Sequence, residues 1–346
     1  MESNADIREI LGSLVGGHSL CESDARALFE RMLRGELDEA QISGVLSLMQ
    51  SRGVTLEELV GAARVMRRHV IAVPVPDDGV PTIDTCGTGG APKTFNVSTA
   101  AAIVAAGSAP GRLRVAKHGN RSRTGRGSAE VLAALGVHVD ASPQVQARCL
   151  QEAGVCFCFA IHHHPASRHA AAVRKSLGFP TIFNLLGPLA NPAGASRQLM
   201  GIYSGDLQGL MAEALGRLGS ERAMVVYSED GLDEIAISAP TTAIHVRDGQ
   251  TTTETIDPRD LGMDLASIQS VRVSSVEQSA QMILRVLEGK SGSPADFTLL
   301  NAGAALVVGG VVETLGEGIE QAREGIRRGN ALRALQTLRE VSGLDA

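Results

Sequence analysis

Aromatic side chains are scarce in this sequence, which has no Trp, two Tyr and seven Phe among its 346 residues. A platform of rings on which single-stranded bases stack is therefore not expected. An excess of positive charge is also lacking, since the formal net charge is −6. Proteins that hold nucleic acid by charge carry clustered Lys and Arg, so we expect no nucleic-acid partner.

Cysteine is sparse, odd in number and irregularly spaced, which predicts reduced core thiols rather than a disulfide framework. The five cysteines are Cys21, Cys86, Cys149, Cys156 and Cys158. The sequence also lacks an apolar signal region at its start and any run that approaches the length of a membrane span. We therefore expect a cytoplasmic protein with no membrane partner.

Residues 1–73 carry helical patterns and no convincing strand. Apolar residues recur at helical spacing over 6–16, 24–34 and 38–51, and Thr55–Glu58 is a capping box that opens a helix to about Arg68. A linker is predicted at Pro74–Pro76 and the Asp-Asp-Gly after it. We predict an N-terminal helical domain over residues 1–73 and a second domain over residues 80–346.

From residue 82 onward, strand patterns alternate with helix patterns, which predicts a largely parallel α/β sheet. The predicted fold is α/β: a small N-terminal all-α domain plus a large α/β domain whose mostly parallel central sheet is surrounded by helices. Predicted strands cover 82–85, 113–117, 155–159, 198–203 and 223–227, with shorter, less parallel ones at 235–238, 243–247 and 251–255. Predicted helices cover 97–107, 127–135, 143–153, 207–218, 275–288, 295–308 and 315–328.

Residues 84–100 predict a phosphate cradle. A strand leads into a turn that contains Gly87, Gly89 and Gly90, and a helix follows. Glycines let the backbone approach a ligand closely, and the first N–H groups of a helix favour anions. Ser98 and Thr99 add hydroxyl donors at the helix start. The alternative for this stretch is an ordinary tight turn.

A second basic segment follows the next predicted strand. It contains Lys117, Arg121, Arg123 and Arg126 before Gly127-Ser128 opens a helix. These cations can offset several phosphate charges. In an acidic protein we favour an anion site over a solvated basic loop.

A histidine motif and an apolar segment follow, and each has a functional and a structural interpretation. His162–His164 is taken as extended, so at most His162 and His164 share a side, and structural zinc with Cys156 and Cys158 is a minor alternative. The apolar segment Thr181–Pro192 predicts a pocket wall or plain core.

Asp230–Glu234 follows a predicted strand, where open α/β sheets bind ligands, and its Asp233 and Glu234 predict a Mg²⁺ site or an exposed acidic turn. The sequence shows no Ser/His/Asp arrangement, so no residue is assigned as a nucleophile or strong base.

Taken in order, these motifs resemble anthranilate phosphoribosyltransferases over essentially the whole chain. The resemblance implies an architecture similar to the pyrimidine nucleoside phosphorylases, usually as a homodimer, with the helical domain serving dimerisation and hinge motion. It implies transfer of phosphoribose from phosphoribosyl pyrophosphate (PRPP) to the amino group of anthranilate, giving N-(5-phosphoribosyl)anthranilate and pyrophosphate, in tryptophan biosynthesis.

The resemblance also implies residue roles and Mg²⁺ as cofactor. The implied PRPP residues are Gly87, Gly90, Thr94, Asn96, Ser98, Thr99, Lys117, Arg126 and Ser128. The implied anthranilate residues are Gly87, His118, Asn120, His164, Arg174, Gly187 and Pro188, with Arg174 meeting the carboxylate. The implied Mg²⁺ ligands are Ser98, Asp233 and Glu234.

The chain departs from the family pattern at three places. Ala91-Pro92 replaces the usual Asp-Gly, and the loop over 123–127 is one residue short, with Arg126 in place of a lysine. Ile161 and Pro180 stand where Pro and Arg are common. These changes motivate the hypothesis that metal dependence or acceptor choice has moved.

Three alternatives stay open on the sequence. One is a paralogue that phosphoribosylates another aromatic acid or amine. Another is a degraded relative that only binds ligand or nucleic acid. A pyrimidine nucleoside phosphorylase is disfavoured because the segment 184–192 does not suit that family.

Overall fold

The structure is a computed structural model that describes residues 6–90, 94–121 and 125–345. The departures at Ala91-Pro92 and in the first part of the 123–127 loop lie outside the described residues. Within these ranges, no helix is long and apolar enough to cross a membrane.

Four helices form the N-terminal part of the molecule: α1 (Ile7–Val15), α2 (Glu22–Leu33), α3 (Glu39–Arg52) and α4 (Leu56–Arg68). The predicted capping box is present, because Thr55 accepts from the Glu58 N–H and Glu58 accepts from the Thr55 N–H. The Glu58 carboxylate is fully buried and also accepts from Arg52 and from the Leu20 N–H. The sequence therefore predicted these helices correctly.

Among the described residues, seven strands form one sheet in the order β3-β2-β1-β4-β5-β6-β7. The first five are parallel: β1 (Thr82–Gly87), β2 (Arg114–Gly119), β3 (Val155–Phe159), β4 (Arg197–Gly201) and β5 (Arg222–Ser228). The last two, β6 (Thr241–Arg247) and β7 (Gln250–Ile256), are antiparallel. The prediction of a mostly parallel sheet with less parallel later strands is confirmed.

Helices cover both faces of the sheet. After β1 they are α5 (Val97–Ser108), α6 (Ser128–Ala134), α7 (Pro143–Glu152), α8 (Ala160–His163), α9 (Arg168–Leu177), α10 (Ile182–Leu186), α11 (Gln208–Arg217), α12 (Val276–Leu287), α13 (Ser293–Val308), α14 (Leu315–Arg327) and α15 (Asn330–Ser342). One core joins α5, α13 and α15 to the sheet. The other joins α1–α4 to α9–α11 and the opposite face, through Met200 and Val225 among others.

The segment between α4 and β1 is fastened to the α/β part of the molecule. The Ile71 N–H donates to the His163 carbonyl at 2.9 Å, and His163 Nδ1 lies 2.6 Å from the Ile71 carbonyl oxygen. The Val73 N–H donates to the Pro192 carbonyl at 3.0 Å. Ile71 and Val73, which precede the predicted linker, therefore join this segment to the histidine and Asn-Pro motifs.

Several predicted elements differ in the structure. Residues 235–238 form no strand, because the Asn301 side chain bonds both Ile235 N–H and Ile235 C=O in place of a strand partner. Residues 160–163 form a helical turn, so the three histidines are not extended. Helix α15 was not predicted, although it packs against α5 in the core.

Candidate active site

The candidate site lies where the strand order reverses. From β1 the chain adds β2 and β3 on one side and then β4 and β5 on the other. In open α/β sheets ligands bind in the crevice outside the carboxyl ends of the strands at such a point. The predicted motifs follow β1, β2 and β5, so the topology brings them to this one edge.

The glycine turn after β1 permits close contacts. A side chain at Gly87 would place its Cβ 2.9 Å from the Asp233 carboxylate, which brings the predicted cradle and the predicted metal loop together. Gly90 has φ of 105°, a left-handed conformation that favours glycine, and its Cβ would lie 3.3 Å from Tyr203. Both glycines are therefore required by geometry.

The start of α5 is held by a residue that sequence reasoning missed. Asn96 caps the helix without a side-chain capping bond; instead the Ser279 hydroxyl donates to Asn96 Oδ1 at 2.9 Å and accepts from the Asn96 N–H at 3.0 Å. Ser279 is fully buried on α12. It stands far along the chain in an ordinary helical pattern, so no sequence signal marks it.

The other cradle residues lie close by. Thr99 Oγ1 contacts Ser128 Oγ at 3.4 Å, and Thr94 Oγ1 donates to the Phe95 carbonyl at 2.9 Å. The Arg126 guanidinium donates to the Val273 carbonyl, which anchors the described end of the basic loop.

Lys117 lies at the centre of the site. Its side chain is 3% exposed, and Nζ donates to the Thr85 carbonyl at 2.7 Å and to Ser98 Oγ at 3.1 Å. Burial lowers the pKa of Lys117, while the nearby carboxylates of Asp84 and Glu234 oppose that shift. A desolvated ammonium beside Ser98 is a strong anchor for phosphate oxygens.

The carboxylates of Asp233 and Glu234 suit a divalent cation. Burial and the neighbouring Asp233 raise the pKa of Glu234 well above its usual value, and Lys117 only partly opposes this. Two neighbouring, partly buried carboxyl groups favour added positive charge. The described residues contain no group of three or more His, Cys, Asp or Glu side chains that would complete a metal site. This donor set fits Mg²⁺, which binds through one or two carboxylates together with water and substrate phosphates.

Two histidines line the other side of the crevice. The rings of His118 and His164 lie 5.1 Å apart, and among the described residues neither Nε2 has a hydrogen-bond partner. Burial, with His164 nearby, lowers the pKa of His118 well below its usual value. Burial and His163 lower the pKa of His164 to about 4. Both rings are therefore neutral at pH 7.

Arg174 and the Gly-Pro segment are the other residues predicted for the acceptor. The Arg174 guanidinium lies 4.8 Å from the centre of the Phe183 ring, with no ion pair to any described residue. The Pro188 carbonyl accepts from Gln198 at 2.7 Å, and a Cβ at Gly187 would meet nothing within 4 Å. Asn120 is exposed at the end of β2. An apolar wall, open space and a cation without a carboxylate suit a small aromatic acid.

The histidine and cysteine groups do not form the zinc site considered from the sequence. His162 contacts Asp140 at 2.6 Å, whereas His164 faces His118. The sulfur atoms of Cys156 and Cys158 lie 3.6 Å apart, buried on β3. The two histidines therefore take different partners, and the thiols are core residues.

The fold and the site are those of a glycosyl transferase, and comparisons with known proteins support this class. Residues 79–332 match the glycosyl transferase family, a/b domain, and residues 8–70 match its helical bundle domain. Curated anthranilate phosphoribosyltransferases are similar over nearly the full length. The Methylobacillus flagellatus protein is 46% identical over 91% of this chain and 92% of its own length. The Thioalkalivibrio sulfidiphilus protein is 45% identical over 96% and 98%.

Solved structures agree. The crystal structure of the enzyme from Thermus thermophilus has 36% identity and a TM-score of 0.88, covering 96% of this chain and 98% of that one. The Saccharomyces cerevisiae enzyme in complex with PRPP and Mg has 26% identity and a TM-score of 0.88, covering 99% of each chain. The same yeast enzyme with 4-fluoroanthranilate has a TM-score of 0.86, 26% identity and the same coverage. The chain belongs to the anthranilate phosphoribosyltransferase family.

Proposed function

We propose that this protein transfers phosphoribose from PRPP to the amino group of anthranilate, releasing pyrophosphate, as a step of tryptophan biosynthesis. The observation that carries the proposal is the pairing of two unlike half-sites across one crevice. Lys117, Ser98 and two carboxylates form an anion and metal side, and the neutral rings of His118 and His164 face each other on the other side. Relatives of this chain are named for this reaction, and solved neighbours hold PRPP with Mg and an anthranilate analogue.

On the PRPP side, the chain's own groups bind and orient a polyanion. We assign Gly87, Gly90, Thr94, Asn96, Ser98, Thr99, Lys117, Arg126 and Ser128 to this role. Bound at Asp233, Glu234 and Ser98, Mg²⁺ would neutralise charge on the leaving pyrophosphate. Lys117 would direct its ammonium at the same group, and a preorganised charge in a dry site lowers the barrier without reorganisation.

On the acceptor side, the side chains position the amine. We assign Gly87, His118, Asn120, His164, Arg174, Gly187 and Pro188 to this role. Because His118 and His164 are neutral, Arg174 is the cation left to bind the carboxylate. Catalysis would then come mainly from holding the amine against the ribose carbon, with no residue acting as a strong base.

The fluorescence of anthranilate, which falls when its amine is ribosylated, tests this function. Purified protein is mixed with PRPP, Mg²⁺ and anthranilate, and compared with Asp233→Asn/Glu234→Gln. Glu229→Gln is the matched control, since Glu229 is an exposed acid of the same loop. We expect Mg²⁺-dependent turnover in the wild type and the control, and its loss in the double variant.

Other outcomes separate the alternatives. Absence of turnover, with PRPP still raising the melting temperature, would assign the site to another aromatic acid or amine. Absence of both turnover and stabilisation would overturn the transferase function and favour a relative that binds another ligand. Tight binding of nucleic acid that weakens steeply with salt would identify the chain as a catalytically degraded relative that only binds ligand or nucleic acid.

We also propose a cytoplasmic homodimer formed through the N-terminal helices, with the division at residues 1–73 and 80–346 giving a hinge. The proposal rests on the family resemblance, and Val15, which is 72% exposed at the end of α1, is the position at which we test it. Light scattering coupled to gel filtration should give twice the chain mass. Val15→Asp should shift the mass toward the monomer, and a monomeric wild type would overturn the assembly.

A further inference from the structure

Strands β1 and β2 pair only at their beginnings. The register joins Thr82 to Arg114 and Ile83 to Val115, with the Arg114 N–H donating to the Pro81 carbonyl. By contrast, β1 pairs with β4 from Ile83 to Gly87 along its full length. We call the stretch after this point, where β1 and β2 lie side by side without ladder hydrogen bonds, the fork. It lies between β1 and β2, next to the reversal of strand order between β1 and β4.

Side chains take over the bonds that the ladder would have made across the fork. Continued pairing would join the Thr85 N–H to the Ala116 carbonyl and the His118 N–H to the Thr85 carbonyl. Instead, His118 N–H donates to Asp84 Oδ1 at 3.0 Å, and the Thr85 carbonyl accepts from Lys117 Nζ at 2.7 Å. The Ala116 carbonyl accepts from Asn191 Nδ2 at 2.8 Å. The side chains of Asp84, Lys117 and Asn191 thus replace the backbone hydrogen bonds of one stretch of the β1–β2 ladder.

Asp84 is central to this exchange. Its carboxylate is fully buried, so it is not placed to touch a substrate, and among the described residues its Oδ2 lacks a hydrogen-bond partner. Burial raises the pKa of Asp84 to about 6, against the opposing effects of Asn191, the His118 N–H and Lys117. A buried polar group kept at such a cost needs a reason. The one observed here is the bond from the His118 N–H, which takes the place of the ladder bond to the Thr85 carbonyl.

At the fork, the two consecutive β2 residues Lys117 and His118 point to opposite half-sites. Successive side chains of a strand point to opposite faces, and here the Lys117 ammonium reaches Ser98 while the His118 ring faces His164. Closing the fork by ordinary pairing would give the Thr85 carbonyl to the His118 N–H and displace Lys117 from it. The position of both groups therefore depends on the acceptor that Asp84 supplies.

We propose that Asp84 is a positioning residue that keeps the fork open, and so aims Lys117 and His118 at the two substrates. This inference rests on the proposed function for its kinetic part only. Asp84→Leu removes the acceptor at similar size, and Asp84→Asn keeps an oxygen for the His118 N–H. Ile83→Val is the matched control, because Ile83 is fully buried on the same strand and lies outside the fork.

The first measurement is the steady-state kinetics of these variants. We expect Asp84→Leu to lower kcat/KM for both substrates by about tenfold or more, the size of a lost charge-assisted hydrogen bond. Asp84→Asn should recover most of that loss, and Ile83→Val should stay within about twofold of the wild type. Unchanged kinetics in Asp84→Leu, or no recovery in Asp84→Asn, would overturn the proposal.

The second measurement does not depend on turnover. The His118 amide should be protected from hydrogen exchange in the wild type and in Asp84→Asn. In Asp84→Leu its exchange should be at least tenfold faster if the amide loses its acceptor, or its NMR chemical shift should move if the Thr85 carbonyl accepts it instead. If Asp84→Leu does not fold, Asn191→Leu tests the same fork, because the Asn191 side chain bonds the Ala116 carbonyl on β2. This variant should also shift the NMR signals of Lys117 and His118. Unaltered exchange together with an unaltered chemical shift of the His118 amide in Asp84→Leu would sink the positioning role even if the wild type proved inactive toward anthranilate.

Discussion

Lys117 combines burial, positive charge and two hydrogen bonds at one atom. Lys117→Met keeps the length of the side chain and removes the charge. We expect kcat/KM for PRPP to fall by about a hundredfold or more, since loss of one preorganised donor to developing charge has that effect. Steady-state kinetics check this, with the exposed Lys175→Met as control.

The thermal midpoint of Lys117→Met gives a second result at this residue. Lys117→Met removes one partner from a buried group of charges and leaves the Asp84 carboxylate without its cation and the Thr85 carbonyl without its donor, which is destabilising. The thermal midpoint should therefore fall together with activity, and an unchanged midpoint would show that these buried groups do not depend on Lys117.

His164 gives a prediction about pH. Its folded pKa, about 4, lies below the unfolded value of about 6.5. The unfolded chain therefore binds more protons between these values, and the stability contributed by the neutral ring is present above pH 6.5 and lost as pH falls toward 4. The stability lost once His164 is fully protonated amounts to roughly 3 kcal/mol.

Urea unfolding of the wild type and of His164→Asn between pH 4 and pH 7 measures this contribution. The difference between the two curves should shrink as pH falls, because Asn does not titrate. The raised pKa of Asp84 changes stability with pH in the opposite direction. Because Asp84 is present in both proteins, its effect cancels in the difference between the curves. A difference that stays constant with pH would contradict the low pKa of His164.

At the scale of elements, helix contacts depend on small residues. A Cβ at Gly107 of α5 would lie 2.6 Å from Ala331 Cα on α15. We expect Gly107→Ala to lower the free energy of unfolding by about 1–3 kcal/mol, because overpacking outweighs the better helix propensity of Ala. Chemical denaturation measures the change.

The matched control is Gly316→Ala in α14, where a Cβ would meet nothing within 4 Å. Helix propensity alone then applies, and it should raise stability by up to about 1 kcal/mol. Equal effects at the two glycines would show that the α5–α15 contact is looser than the structure has it.

The elements divide into those with local signals and those without. The capped helices α3 and α4 and the strands before each motif were predicted well, because caps, apolar spacing and turn residues lie within a few positions of one another. The strand predicted at 235–238 was wrong, since Asn301 from α13 supplies the backbone partners there. No local pattern announces such a distant side chain.

At the scale of the whole molecule, substrate and metal should act together on stability. A ligand that binds only the folded state at a hundred times its Kd adds about 2.7 kcal/mol. PRPP with Mg²⁺ should therefore raise the melting temperature, and EDTA should remove most of the gain because Asp233 and Glu234 lose their counter-ion. Differential scanning fluorimetry measures both, with ribose 5-phosphate as the comparison ligand. An equal gain with and without EDTA would contradict the metal role.

The sequence by itself determined the helical segment, the alternation of strand and helix, and the family, because each depends on neighbouring residues or on motifs in a fixed order. The tertiary structure alone decided how the motifs meet: Gly87 against Asp233, Ser279 under Asn96, and His162 and His164 turned to different partners. It also decided the fork, where Asp84, Lys117 and Asn191 replace ladder bonds. The physical reason is that buried polar groups take whichever partners the packed sheet brings within reach, and that reach spans residues far apart in the chain.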